Sequence, residues 1–135
     1  MKLFIGIILF NLMMPSQGFN DKRILVLTAK EMTPEVTEQL DRLQKNSLEL
    51  EKLRLAVFTL INGEVKAITN SSDKSLEFVT KNKDDYTETS TLTLYLIGLD
   101  QGLKKTFKGL VNPQQIFNQI DNMPMRQAEM RRNKK

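Results

Sequence analysis

The side chains best equipped for chemistry in this 135-residue sequence are its lysines, carboxylates and methionines, because it has no cysteine and no histidine. Without a thiolate there is no disulfide exchange and no thiol peroxidase. Without imidazole the Ser-His-Asp and Cys-His arrangements are absent, and structural zinc lacks its usual ligands. No Gly-rich phosphate loop is present. Asp84-Asp85 and the pair Asp73 and Glu77 lack the spacing of a calcium loop. A serine activated by lysine is chemically conceivable, but no serine stands in a supporting motif. No cofactor is expected.

The C-terminal quarter holds two constellations. Met123 and Met125 flank Pro124, with Met130 nearby, and thioethers are soft donors that suit Cu(I). The plainer role for these flexible side chains is packing against a sheet. Arg126 and Glu129 are three residues apart and can pair on a helical turn, which contributes about 0.2–0.5 kcal/mol. Asp121 can also accept from Arg126. The charges at Asp121, Arg126 and Glu129 either lock the chain end or form part of a binding surface.

The elements that must position these groups read as follows. Ile24-Leu25-Val26-Leu27 is an unbroken apolar run and reads as a strand buried on both faces. Thr33 caps a helix, Pro34 fits its first position and Glu35 suits its positive end. Val36, Leu40 and Leu43 give that helix one apolar face, and Leu50 extends the stripe if the helix continues past Asn46 and Ser47. Residues 55–61 form a second apolar run, so the pattern is βαβ with parallel pairing. Asn62-Gly63 signals a hairpin into a short strand at 64–69. Leu76 and Val79 hint at a short helix over 75–81, although a polar loop is the safer reading of a stretch rich in Asn, Ser, Asp and Lys. Leu92, Leu94 and Leu96 alternate as a strand, a turn follows at 98–102, and residues 103–107 return antiparallel. Asn112 and Pro113 open a helix with Ile116, Phe117 and Ile120 inward, ending before Pro124.

Residues 1–18 hold Lys2, an apolar run from Leu3 to Met14 and then Pro15-Ser16-Gln17-Gly18. This is the pattern of a cleavable secretory signal, with Ser16 and Gly18 as its small residues, and is too short to span a bilayer. The expectation is a single domain over 19–135, secreted or periplasmic, with no membrane attachment after cleavage. A chain of this size can bury a sufficient core without disulfides. The formal charge of +4 does not argue for nucleic acid, and the basic end at Arg126, Arg131, Arg132, Lys134 and Lys135 reads as a solvated tail. Asn70-Ser71-Ser72 fits the glycosylation triplet, which carries no meaning in a bacterial host.

Two segments carry a family resemblance. One is the turn Gly98-Leu99-Asp100-Gln101-Gly102-Leu103-Lys104, and the other is the ending Ile120-Asp121-Asn122-Met123-Pro124-Met125-Arg126-Gln127-Ala128-Glu129-Met130. Together they resemble the domain-of-unknown-function family DUF4174, a domain also found in sushi-repeat-containing extracellular proteins. The turn departs from the family pattern at Leu99, where the family usually has lysine, and at Gln101, where it usually has glycine. The resemblance implies an α/β, thioredoxin-like fold: a βαβ half, an uncertain middle, and a ββα half. In that fold the redox nucleophile lies between the first strand and first helix, here residues 28–33, where this chain has no sulfur nucleophile. The expected function is that of a non-catalytic exported module that binds a protein or matrix component through Asp100, Lys104, Asp121, Arg126 and Glu129. The alternatives are an enzyme using Lys or carboxylate chemistry, for which a deep pocket around Lys30 or Glu31 would speak, and Cu(I) binding by the three methionines.

Overall fold

The structure is a computed structural model that describes residues 19–86 and 91–133. The apolar run around residue 25 becomes strand β1 (Arg23–Ala29), buried along its whole length. Thr33 then caps helix α1 (Pro34–Gln44), its hydroxyl accepting from the Val36 amide at 3.3 Å. The stripe does not run on as one helix. The chain turns at Lys45 and Asn46, and a separate helix α2 (Ser47–Lys52) brings Leu50 into the core. Leu40 is only partly buried, and Gln39 takes the inward position instead. The Gln39 amide exchanges two hydrogen bonds with the Val111 backbone, at 3.0 and 2.8 Å, which ties α1 to the segment leading into the later helix.

Strand β2 (Leu55–Ile61) pairs parallel with β1, Arg23 standing beside Leu55. Asn62 and Gly63 both take positive φ, 52° and 78°, as a tight hairpin requires, and β3 (Glu64–Thr69) folds back on β2. Residues 73–85 are mostly helical rather than a loop. Helix α3 (Asp73–Lys81) starts at Ser72, which forms a capping box with Ser75, and a 3-10 turn follows at Lys83–Asp85. Strand β4 (Thr93–Ile97) runs antiparallel to β1, and β5 (Leu103–Lys108) antiparallel to β4. Helix α4 (Pro113–Asp121), capped by the Asn112 side chain, and helix α5 (Pro124–Asn133) complete the described chain.

The sheet order is β3-β2-β1-β4-β5. Successive side chains of a strand face opposite ways, and the core divides accordingly. Leu25, Leu27, Leu55, Val57, Leu94 and Leu96 meet Val36 and Leu43 of α1, Leu50 of α2, and Ile116, Phe117 and Ile120 of α4. Ile24, Val26, Ala56, Phe58 and Ile97 meet Val79 of α3 and Tyr86 on the other face. This mixed sheet between two helical layers is an α/β architecture consistent with a thioredoxin-like fold. Among the described residues no helix is long and apolar enough to cross a membrane. The expected signal segment, 1–18, lies outside the described residues.

Candidate functional site

The β4–β5 connection and the start of α5 converge at one end of the sheet. The Gly98 amide donates to the Gly102 carbonyl at 2.9 Å, and the Gln101 amide to the Gly98 carbonyl at 3.0 Å. Gln101 sits at φ +70°. A three-residue hairpin loop places its last residue in the left-handed region, where glycine fits without strain. That geometry accounts for the glycine usual at this place in the resembled family. Leu96 stands opposite Lys105 and Ile97 opposite Leu103, so Lys104 is the extra residue of a β-bulge. Bulges re-aim side chains, and this one lays Lys104 back over the turn. A Cβ on Gly98 would lie 2.6 Å from the Lys104 Cε, so only glycine admits the lysine stem in this position.

Lys104 Nζ meets Asp100 Oδ2 at 2.7 Å, and the other carboxylate oxygen accepts from the Gly102 amide at 3.0 Å. The Lys104 and Gly102 hydrogen bonds hold the Asp100 carboxyl below its usual range. Beside this turn lies a cavity of about 100 Å³, bounded by residues 98–100, Lys104, residues 123–125 and Arg23. Leu99 and Met123 form buried apolar walls, while Met125 is 39 % exposed at the mouth. The two segments singled out in the sequence therefore border one cavity. Met130 is not among its lining residues, so two of the three candidate copper ligands meet there and the third does not.

Asp121, Arg126 and Glu129 play a different part. Glu129 Oε2 accepts from Arg23 Nη2 at 3.3 Å and from Arg54 Nη2, while Oε1 accepts from Arg126 Nη1 at 3.2 Å. Arg126 Nε reaches Asp121 Oδ1 at 3.3 Å, and Arg23 Nη1 donates to the Leu53 carbonyl at 2.8 Å. Arg23 is 1 % exposed, Arg126 5 % and Glu129 8 %. Burial by itself raises the Glu129 pKa. The hydrogen bond from Arg54, the charge of Arg23 and the hydrogen bonds from Arg126 and Arg23 outweigh it and hold the carboxyl below its ordinary value. Burial pushes the Arg23 guanidinium down against the opposing pull of Glu129. These residues form a clasp that fastens α5 to the starts of β1 and β2.

Sequence reasoning missed Arg23 and Arg54 as members of this clasp. The available signal was positional: Arg23 opens β1 and Arg54 immediately precedes β2, and parallel pairing sets Arg23 beside Leu55 with its amide donating to the Arg54 carbonyl at 2.7 Å.

The loop over residues 28–33 is laid out differently. Thr28 is buried and its hydroxyl donates to the Thr93 carbonyl at 3.2 Å. Lys30, Glu31 and Met32 are exposed. The nearest cavity, about 330 Å³, runs past them toward Thr59, Asn62 and Lys66 along the sheet. Asn70 of the glycosylation triplet uses its amide to donate to the Leu50 and Leu55 carbonyls, at 3.1 and 3.0 Å. Among the described residues no group of three or more Asp or Glu side chains is placed to hold a metal ion.

The family described as "Domain of unknown function (DUF4174)" matches residues 16–129, a span that includes both the turn and the clasp. No curated protein and no solved structure matches the chain.

Proposed function

The chain belongs to the DUF4174 family, and from that premise we propose that it is an exported binding module of thioredoxin-like fold. Its contact point is the cavity between the 98–104 turn and the Met-Pro-Met corner, and its partner is a protein or matrix component. One observation carries this reading: both family segments border a single small, mostly apolar cavity with charged groups at its edge. Size decides the kind of occupant. Small-molecule sites run to about 300–1,000 Å³, whereas about 100 Å³ suits one apolar side chain. Leu99, Met123 and Pro124 would receive that side chain, and methionine adapts its shape to different occupants. Asp100 and Lys104 would meet polar groups flanking it and fix its direction of approach. The lysine usual in the family at the position of Leu99 would make the wall charged, so Leu99 tilts this chain toward an apolar anchor.

The 28–33 loop favours a binding module over an enzyme on exposure rather than on size: the cavity of about 330 Å³ lined by Lys30 and Glu31 could admit a small molecule, but both side chains are exposed. Affinity capture from the exported fraction tests the reading. Met125→Lys, at the cavity mouth, and Leu99→Asp, in its wall, should each lose the captured partner, while Leu48→Lys on the 81 % exposed α2 position should keep it. Capture unaffected by both cavity variants would overturn the reading. Arg126→Ala is a poor probe, because it loosens the clasp rather than the cavity.

A further inference from the structure

We propose that a second groove, between α3, the residue 98–102 turn and the segment at Asn20, binds a small oxyanion-bearing molecule. This groove encloses about 310 Å³ and is lined by Asn20 and Gln101 on one side and Lys74, Glu77, Phe78 and Lys81 of α3 on the other. The volume sits at the low end of small-molecule sites, about 300–1,000 Å³. It is independent of the cavity proposed above to hold a partner's side chain.

The leading observation is an orphan donor. Asn20 is 6 % exposed, and its Nδ2 is the one buried side-chain nitrogen or oxygen without a hydrogen-bond partner among the described residues. Leaving such a group unmade in a folded protein costs about 1–3 kcal/mol, and each such case calls for a reason. The rest of Asn20 is fixed. Its backbone amide donates to the Leu99 carbonyl at 2.7 Å, and its Oδ1 accepts from Gln101 Nε2 at 3.2 Å. Gln101 makes that bond from a left-handed backbone at φ +70°, a conformation that disfavours a side chain by roughly 1–2 kcal/mol. Two local sacrifices thus meet at one amide, and they leave a donor in need of an acceptor on a residue that lines the groove.

Charge on the facing helix matches that need. Lys74 and Lys81 lie two helical turns apart, and neither makes an ion pair among the described residues. Elsewhere Lys104 and Lys45 are paired with carboxylates. Glu77 stands between the two lysines and opposes an anion, so the site has a net charge of one positive unit from these three groups. Phe78 supplies an apolar wall. An oxygen of a carboxylate or a phosphate would take the Asn20 donor while the lysines balance its charge. Nδ2 itself is buried, so binding entails a shift of the Asn20 or Gln101 side chain. Their amide resonances are therefore the natural reporters.

The test is a nuclear magnetic resonance titration of the labelled protein at constant ionic strength with inorganic phosphate, with succinate and with glucose. The expected result is a saturable shift of the Asn20 and Gln101 side-chain amide signals with at least one of the two anions. Whichever saturates at lower concentration identifies the headgroup. The double variant Lys74→Ala, Lys81→Ala changes only exposed positions and should bind about tenfold more weakly, while Glu77→Gln should bind about two- to threefold more tightly, the signs Coulomb's law requires. Absence of a saturable shift with either anion, an equal response to glucose, or unchanged binding in the double variant overturns the proposal.

Discussion

Glu129 and Asp100 are both carboxylates within a few residues of a cation, yet they do different jobs because one is buried and the other is not. Glu129 lies under α5 and holds Arg23, Arg54 and Arg126 at once. Asp100 is half-exposed and holds Lys104 across a bulged hairpin. A buried charge that loses its partner leaves uncompensated charge in a poorly solvated place, whereas an exposed pair loses little because water replaces it. The same residue types thus serve as a fastening in one region and as the rim of a contact site in the other. Arg23 touches both, since it binds Glu129 and also borders the cavity.

The largest effect expected from this contrast is on stability. Glu129→Ala should destabilise the protein by about 3–5 kcal/mol, the range for removing one member of a buried ionic group, while Asp100→Ala should lie within about 1 kcal/mol of wild type. Urea denaturation of the two variants measures both, and equal losses would break the comparison.

Alkaline pH offers a control of opposite sign on the other face of the sheet. Burial first, then the Asp85 charge, pushes the Tyr86 hydroxyl from 10.0 up to about 12. A raised folded pKa means that the contribution is present below pH 10 and is lost as pH rises toward 12. Two units correspond to about 2–3 kcal/mol, so Tyr86→Phe should lose less stability than wild type across that window.

In acid the clasp should fail by linkage. Glu129 has a folded pKa below its ordinary 4.5, so its contribution is fully present above pH 4.5 and is lost as pH falls through the lower folded value. Wild type should therefore lose stability in that range more steeply than Glu129→Gln, as followed by urea midpoints at successive pH values. The smallest stability change belongs to Gly98→Ala. Its new Cβ meets the flexible end of Lys104 at 2.6 Å, so the lysine swings away from Asp100 at a cost of about 1 kcal/mol or less. Partner capture should nonetheless fall, because the rim has been rebuilt.

Much of the fold was legible in the sequence because local signals agreed. The apolar runs of β1 and β2, the Asn62-Gly63 turn, the alternation at Leu92, Leu94 and Leu96 and the Asn112-Pro113 start each have one local meaning. The division of α1 from α2 was not legible, because Leu43 and Leu50 stay on one apolar stripe across the turn at Lys45 and Asn46. Helix α3 was obscured because its capping box uses Ser75 where a Glu or Gln is the familiar signal. Of the candidate site, the turn and the Met-Pro-Met corner could be singled out, but their meeting could not. It depends on strand order, as does the approach of Glu129 to an arginine 106 residues earlier. Asn20 gave no signal at all, since a buried orphan amide exists only once the chain around it is packed.

The central claim concerns the cavity beside the 98–104 turn, and photo-crosslinking from its mouth tests it most directly. A crosslinking residue placed at position 125 should yield a discrete adduct in the exported fraction that disappears when Leu99→Asp is added, and the same residue at position 48 should yield none. Adducts of equal intensity from both positions, or an adduct at position 125 that persists with Leu99→Asp, would contradict the account.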